Sequence, residues 1–92
     1  MNKARRKKLE SIAEQIRKLL GDIESLKGEV ECVRDDEQEV LDNLEERFSE
    51  TERYQIVSDN VDSLDSIVSD FEEGIDNLDR IADDIDEVVN NY

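Results

Sequence analysis

The fold is decided by the stretch VDSLDSIVSDFEEGIDNLDRIADDIDEVV, residues 61–89. Its apolar residues recur at alternating spacings of three and four, which is the period of one face of an α-helix. Heptad position a is occupied by Val61, Val68, Ile75, Ala82 and Val89. Position d is occupied by Val57, Leu64, Phe71, Leu78, Ile85 and Tyr92. Because position g adds Ile67, Ile81 and Val88, the apolar stripe suits a helix bundle better than a two-stranded coiled coil.

The N-terminal half of the chain has the same period. Its apolar positions are Leu9, Ile12, Ile16, Leu19, Ile23, Leu26, Val30 and Val33, and Ala13 and Leu20 widen the stripe. Glu37 then stands where an apolar residue is expected, but Val40, Leu44 and Phe48 resume in phase. The unbroken phase favours a polar layer inside one continuous helix over a loop at this point.

The break between the two helical segments falls in RFSETERYQ, residues 47–55. Ser49 followed by Glu52 has the form of a capping box, which starts a helix. We therefore expect one all-α domain, residues 1–92, with a helix at about 3–46, a turn at about 47–50 and a helix at about 50–91. Two helices of similar length joined by a short turn form an antiparallel helical hairpin.

The width of both stripes predicts self-association of this hairpin. Two helices cover only a narrow line of each other's surface, so part of each stripe stays exposed in a single hairpin. A second copy covers the remainder, and we expect a homodimeric four-helix bundle, with a splayed arrangement or a higher oligomer as the alternative.

Composition disfavours catalysis and cofactor binding. The chain has no histidine, no tryptophan and no proline, and one cysteine, Cys32. Histidine is the commonest general base and metal ligand, and no glycine-rich phosphate loop or calcium loop is present. We expect a non-enzymatic protein with no cofactor, no metal and no small-molecule substrate. A lone cysteine indicates a reducing cytoplasm, and without an apolar run of 18 residues we expect no membrane contact.

Charge is distributed unevenly along the chain. Residues 1–20 contain seven basic and two acidic side chains, whereas residues 21–92 contain five basic and 25 acidic ones, which gives the total of −15. The basic segment KARRKK, residues 3–8, has three interpretations. It clamps the acidic end of helix two around Asp83, Asp84, Asp86 and Glu87, it contacts nucleic acid or membrane, or it is a solvated tail. The strongly acidic body disfavours direct nucleic-acid binding.

Acidic residues recur at three-residue spacing along helix two. The candidate partner-binding residues are Asp62, Asp65, Asp70, Glu73, Asp76, Asp79 and Asp83. Neighbours at this spacing lie about 5–6 Å apart on a helix, so the rows resemble the phosphates of a nucleic-acid strand. The alternative interpretation is a solvated face that keeps the protein soluble. The candidate residues for the core and oligomer contact are Val57, Val61, Leu64, Val68, Phe71, Ile75, Leu78, Ile85 and Val89.

Three segments resemble small acidic helical proteins of phages and prophages of gut and other Gram-positive bacteria. They are MNKARRKKLE at 1–10, VRDDEQEVLDNLEERFSETERYQ at 33–55, and the repeat DNVDSLDSIVSD at 59–70 with IDNLDRIADDID at 75–86. Members of that group often have NLPES where this chain has NLEER, residues 43–47. The resemblance implies a two-helix hairpin and a mobile-element origin, without a defined activity.

Two functions from different classes fit these observations. The first is an inhibitor in the cytoplasm of a bacterial host, directed against a CRISPR effector, a restriction enzyme or another nucleic-acid-binding defence protein, whose groove the acidic face occupies. The second is a structural or adaptor protein of phage assembly, which binds through its apolar stripe while the acids only confer solubility.

Overall fold

The computed structural model describes residues 1–91, and two long antiparallel α-helices account for nearly all of them. Helix α1 comprises Lys3–Phe48, 46 residues, and helix α2 comprises Glu52–Asn90, 39 residues. The Cα atoms span 68 × 15 × 14 Å, so the hairpin is a narrow rod. The predicted all-α helical hairpin is confirmed. Tyr92, the last d position of the predicted repeat, lies outside the described residues.

Helix α1 is continuous through the acidic segment around Glu37. No turn or bend interrupts Lys3–Phe48, and Glu37 is half-buried. The prediction of a polar layer within one helix is therefore confirmed. The four-three spacing of Val33, Glu37 and Val40 explains the continuity, because one polar residue in phase does not change the helical period.

The residue that caps α2 differs from the predicted one. Ser49 keeps helical dihedral angles, φ −62° and ψ −17°, and ends α1. Thr51 is extended, φ −86° and ψ 155°, and caps α2 instead. Its hydroxyl accepts a hydrogen bond from the Tyr54 N–H at 3.2 Å and donates one to the Phe48 carbonyl at 2.7 Å. The predicted Ser49 cap is wrong because an N-cap needs an extended backbone, and Thr51 is the residue that has it.

Because one hydroxyl satisfies both helix ends, Thr51→Val is expected to lower the free energy of unfolding by about 1 kcal/mol. Valine keeps the shape of threonine but can neither accept from the Tyr54 amide nor donate to the Phe48 carbonyl. Ser49→Ala is the matched control and leaves stability unchanged. Urea titrations of the three proteins at one concentration measure the difference. A larger loss from Ser49→Ala than from Thr51→Val would contradict the assignment of the cap.

The contact between the helices follows one column on each of them. The buried residues are Ala13, Leu20, Val57, Val61, Val68, Ala82 and Val89. On α2 they include most of heptad position a. On α1 the buried residues Ala13 and Leu20 define the corresponding position a, which continues at seven-residue spacing through Lys27, Arg34 and Leu41.

The structure divides the predicted core residues of α2 into two groups. Val57, Val61, Val68 and Val89 are buried between the helices, whereas Leu64, Phe71, Ile75, Leu78 and Ile85 are half-buried. On α1 the buried residues are Ala13 and Leu20, at the edge of the predicted stripe. Within the stripe, Leu9, Ile16, Ile23 and Val30 are half-buried, and Ile12, Leu19, Leu26 and Val33 are exposed. A single hairpin therefore leaves much of its apolar surface uncovered.

Candidate functional site

Ion pairs join the two helices along one side of the rod. The Arg17 guanidinium lies 3.1 Å from a carboxylate oxygen of Asp83 and also binds Asp86. The Lys27 ammonium lies 3.3 Å from Glu72, and the Arg34 guanidinium lies 3.5 Å from Asp65. These contacts, which we call the interhelical ladder, link bases of α1 to acids beside the buried column of α2. Opposite charges at matched heights favour the observed antiparallel register.

Two members of the ladder stand in the buried column of α1. Lys27 and Arg34 follow Ala13 and Leu20 at seven-residue spacing, and their side chains are only 25% and 26% exposed. Long aliphatic stems allow such residues to occupy a buried column while their charged groups reach acids at its edge. Their seven-residue spacing from Ala13 and Leu20 is the sequence signal that places Lys27 and Arg34 in this column. The predicted stripe did not include them because it contained apolar residues alone.

The predicted clamp between KARRKK and the acidic end of α2 takes a different form. Asp83 and Asp86 do receive a base from α1, but that base is Arg17. The reason is length, because α1 has 46 residues and α2 has 39, so the first turns of α1 project past the end of α2. Within residues 1–91 no ion pair engages Lys3, Arg5, Lys7 or Lys8.

Neighbouring carboxylates raise the pKa of both arginines above the ordinary value. For Arg17 the largest cause is the hydrogen bond with Asp86, supported by Asp83. For Arg34 it is the hydrogen bond with Asp35, supported by the charges of Asp65 and Glu31. A raised pKa means that the charged form is favoured in the folded chain. Both arginines therefore stay protonated throughout the physiological range.

All seven candidate partner-binding acids of α2 are exposed. Asp65 and Asp83 are engaged in the ladder, and Asp79 lies on the same side of α2 as Asp65. Asp70 borders an apolar groove. The seven acids therefore do not all lie on one side of α2. Three residues rotate a helix by 300°, so each step of the row moves about 60° around the axis and the acids wind around α2.

The acids that do share one face stand at heptad positions b, c and f of α2, outside its buried position a. Asp76 and Asp83 lie at the edge of this face beside the ladder, and Asp70 lies at the edge beside the apolar groove. This outer face of α2 contains Asp59, Asp62, Asp70, Glu73, Asp76, Asp83, Asp84 and Glu87, with Arg80 as its base. Asp59 accepts a hydrogen bond from Gln55 at 2.9 Å, and Asp83 belongs to the ladder. Among residues 1–91, the other six acids form no ion pair. Asp84 and Glu87 belong to this face although the candidate set did not contain them.

The charge density of α2 approaches that of a nucleic-acid strand. The helix has 13 acidic and two basic residues, a net charge of −11 over 39 residues. At 1.5 Å per residue this is one net negative charge per about 5 Å. One strand of DNA carries a charge per about 3.4 Å along the duplex axis. A basic groove that binds nucleic acid therefore meets, along α2, a charge per unit length similar to that of a nucleic-acid strand.

A second surface, on the side away from the ladder, is apolar. A groove of about 300 Å³ between the helices is lined by Ile23, Ile67, Asp70, Phe71, Gly74 and Leu78. Beside it on α1 stand Leu19, Leu26 and Val33, which are 57%, 51% and 52% exposed. The two sides of the rod therefore differ in chemistry, and each suits a different kind of partner.

Residues 1–91 contain no group of three or more histidine, cysteine, aspartate or glutamate side chains arranged to hold a metal ion. Cys32 is exposed, and within the same residues it forms no disulfide. Neither of the two helices, as far as the chain is described, is long and apolar enough to cross a membrane.

Comparison of the chain with protein-family models, with curated proteins and with solved structures gives no match.

Proposed function

We propose that this chain is a non-enzymatic interaction protein of phage type that acts in the cytoplasm of a bacterial host. The outer face of α2 binds the basic groove of a nucleic-acid-binding host protein, such as a CRISPR effector or a restriction enzyme. The bound protein is inhibited because nucleic acid and the acidic face compete for the same groove. The resemblance to small acidic phage proteins supports the mobile-element origin.

The observation that carries this proposal is the set of free acids on the outer face of α2. Asp62, Asp70, Glu73 and Asp76 follow one another on this face without an intervening base, and within residues 1–91 they form no ion pair. They are held on one rigid helix, so binding a basic groove requires little ordering of the chain. Aspartate has a shorter and less flexible side chain than glutamate, which places each charge closer to a fixed position.

The test is affinity capture from host lysate with a tagged protein and a variant carrying Asp62→Asn, Asp70→Asn, Glu73→Gln and Asp76→Asn. The matched control neutralises four exposed acids of α1 by changing Glu14, Asp22, Glu29 and Asp36 to their amides. Both variants then lose the same charge. We expect a nucleic-acid-binding protein to be retained by the wild type and the α1 control at low salt. High salt and the α2 variant release it, because the contact is electrostatic.

A purified captured protein then allows a direct competition measurement. Wild-type chain is expected to displace its nucleic acid, and the α2 variant is expected to displace it at least about tenfold less well. A partner that binds the α2 variant as tightly as the wild type would contradict mimicry.

A second candidate function is favoured by the exposed apolar surface. A structural or adaptor protein of phage assembly would bind through that side, and its partner would survive high salt and neutralisation of the acids. Such binding would depend on Phe71, Leu78 and Ile85, which are half-buried beside the apolar groove or in line with it. The salt series in the capture experiment distinguishes the two functions.

A further inference from the structure

The apolar side of α1 has a composition that changes abruptly at two points. Between these points positions d and g are apolar without exception, and they are Leu9, Ile12, Ile16, Leu19, Ile23, Leu26, Val30 and Val33. One step before this run, position g is Arg5. One step after it, position d is Glu37. The apolar run is thus bounded by a base at one end and an acid at the other.

These two boundary residues are charged groups with no ion pair inside the described chain. Arg5 belongs to the turns of α1 that project past α2, and Glu37 is half-buried in the column that is otherwise apolar. A charged residue in an apolar contact column costs stability unless it meets an opposite charge. Both residues therefore point to a surface outside the hairpin that supplies one.

We propose that a second copy of the chain covers this side, with α1 packed antiparallel on α1 of the partner about a two-fold axis level with Gly21. Residues equidistant from that axis then meet. Arg5 meets Glu37 of the partner subunit at both ends of the interface. Between them Leu9 pairs with position 33, Ile12 with 30, Ile16 with 26, and Leu19 with 23, each a d position against a g position. An isologous interface requires this reciprocity.

Neighbouring registers are excluded by the same residues. Sliding the partner by one heptad in one direction places Glu37 against Ile12, and sliding it in the other places Arg5 against Val30. Each shift buries a charge against an aliphatic side chain at two symmetric places. The register centred on Gly21 is the antiparallel d-to-g register in which every apolar residue of the run meets an apolar one and the charges meet each other.

Helix α2 supplies the other half of the covered surface at the same height. The ladder joins Arg34 to Asp65 and Arg17 to Asp86, which places Gly21 level with about Ile81. The residues Ile67, Ile81 and Val88, which are exposed at position g of α2, lie at that level and on both sides of it. Gly74 opens the groove between them, and a Cβ there would contact nothing within 4 Å in its own chain, so the groove has room for a side chain of the second copy.

The surface area agrees with a second copy as the occupant. The chain exposes 6925 Å², whereas a compact monomer of 10.7 kDa exposes about 5,500 Å². In the proposed register the rods overlap over about 36 residues of α1, roughly 54 Å. With a rod width of 15 Å the contact covers on the order of 800 Å² per copy, which is what a stable standard-size interface buries.

The test is sedimentation equilibrium of the full chain and of charge-exchange variants. We expect the wild type to be a dimer, and Arg5→Glu and Glu37→Arg each to raise the dimer dissociation constant about tenfold, because both symmetric pairs become repulsive. The double variant is expected to return to within about threefold of the wild type. Arg47→Glu is the matched control: it also occupies position g of α1, but its counterpart across the axis falls outside α1, so the constant is unchanged.

A second variant keeps the test decisive. Leu19→Asp is expected to weaken the dimer more than about a hundredfold while the chain remains helical, because Leu19 is 57% exposed in the hairpin. A wild type that is monomeric at about 100 μM would overturn the proposal. So would a dimer that tolerates Leu19→Asp, or single charge variants that the double variant does not rescue. The inference does not rest on binding by the acidic face of α2, since the contact is made by the apolar side of the rod.

Discussion

Replacing Ala82 with leucine is expected to lower the free energy of unfolding by about 2–3 kcal/mol. Ala82 has 0% of its surface exposed, and Ala13, at the same end of the rod on α1, has 1%. Small side chains in the buried columns allow the two helices to approach closely at this end. A leucine would force the backbones apart and disturb the contacts between Arg17 and its two acidic partners. Denaturant unfolding at a fixed protein concentration measures the loss.

The matched control for this variant is Ala4→Leu, which makes the same chemical change at an exposed position of α1. It is expected to change stability by less than about 0.5 kcal/mol. The concentration is held constant because folding is coupled to association when a chain dimerises. A loss below 0.5 kcal/mol for Ala82→Leu would contradict the close approach of the helices at Ala82.

The helices themselves were predictable from the sequence because their signal is long. Five heptads on α2, and a phase on α1 that survives Glu37, allow few alternatives to two helices. The connection was also predictable in position, although its cap was not. Both Ser49 and Thr51 are competent cap residues, and the choice depends on which of them has the extended backbone, a property set by the angle between the two helices.

The rotation of each helix about its own axis could not be read from the apolar pattern. A stripe three positions wide offers more than one line of contact, and hydrophobicity alone does not select between them. The contact of α1 follows Ala13 and Leu20 rather than the larger residues of the central stripe, and Lys27 and Arg34 extend the same column. Charge favours this line, because both bases meet acids at matching heights on α2.

The same physics limits what could be predicted for the acidic residues. Three-residue spacing brings neighbours close, but it does not keep a long row on one face, since each step rotates about 60° around the helix. The row therefore divides between the ladder, where Asp65 and Asp83 bind arginines, and the outer face of α2. Spacing predicted the proximity of the acids, whereas the partition between pairing and exposure required the position of α1.

Lys27→Glu is expected to lower the free energy of unfolding by about 2–3 kcal/mol. The ammonium of Lys27 lies 3.3 Å from Glu72 and 3.9 Å from Glu31. It is also the basic residue lining a groove of about 440 Å³ that Glu24, Glu31, Glu72 and Asp76 share. Reversal places a fifth carboxylate among four, on a side chain that is only 25% exposed, in a chain whose net charge is already −15.

Two comparisons separate this electrostatic effect from a loss of packing. Lys18→Glu makes the same charge change at an exposed residue that forms no ion pair within residues 1–91, and it is expected to cost less than about 0.5 kcal/mol. The double variant Lys27→Glu with Glu72→Lys exchanges the charges, and it should recover at least half of the loss. Salt should reduce the loss for the single variant, because screening weakens repulsion between carboxylates. Equal losses for Lys27→Glu and Lys18→Glu would mean that net charge alone sets the stability and that the ladder contributes nothing to the antiparallel register.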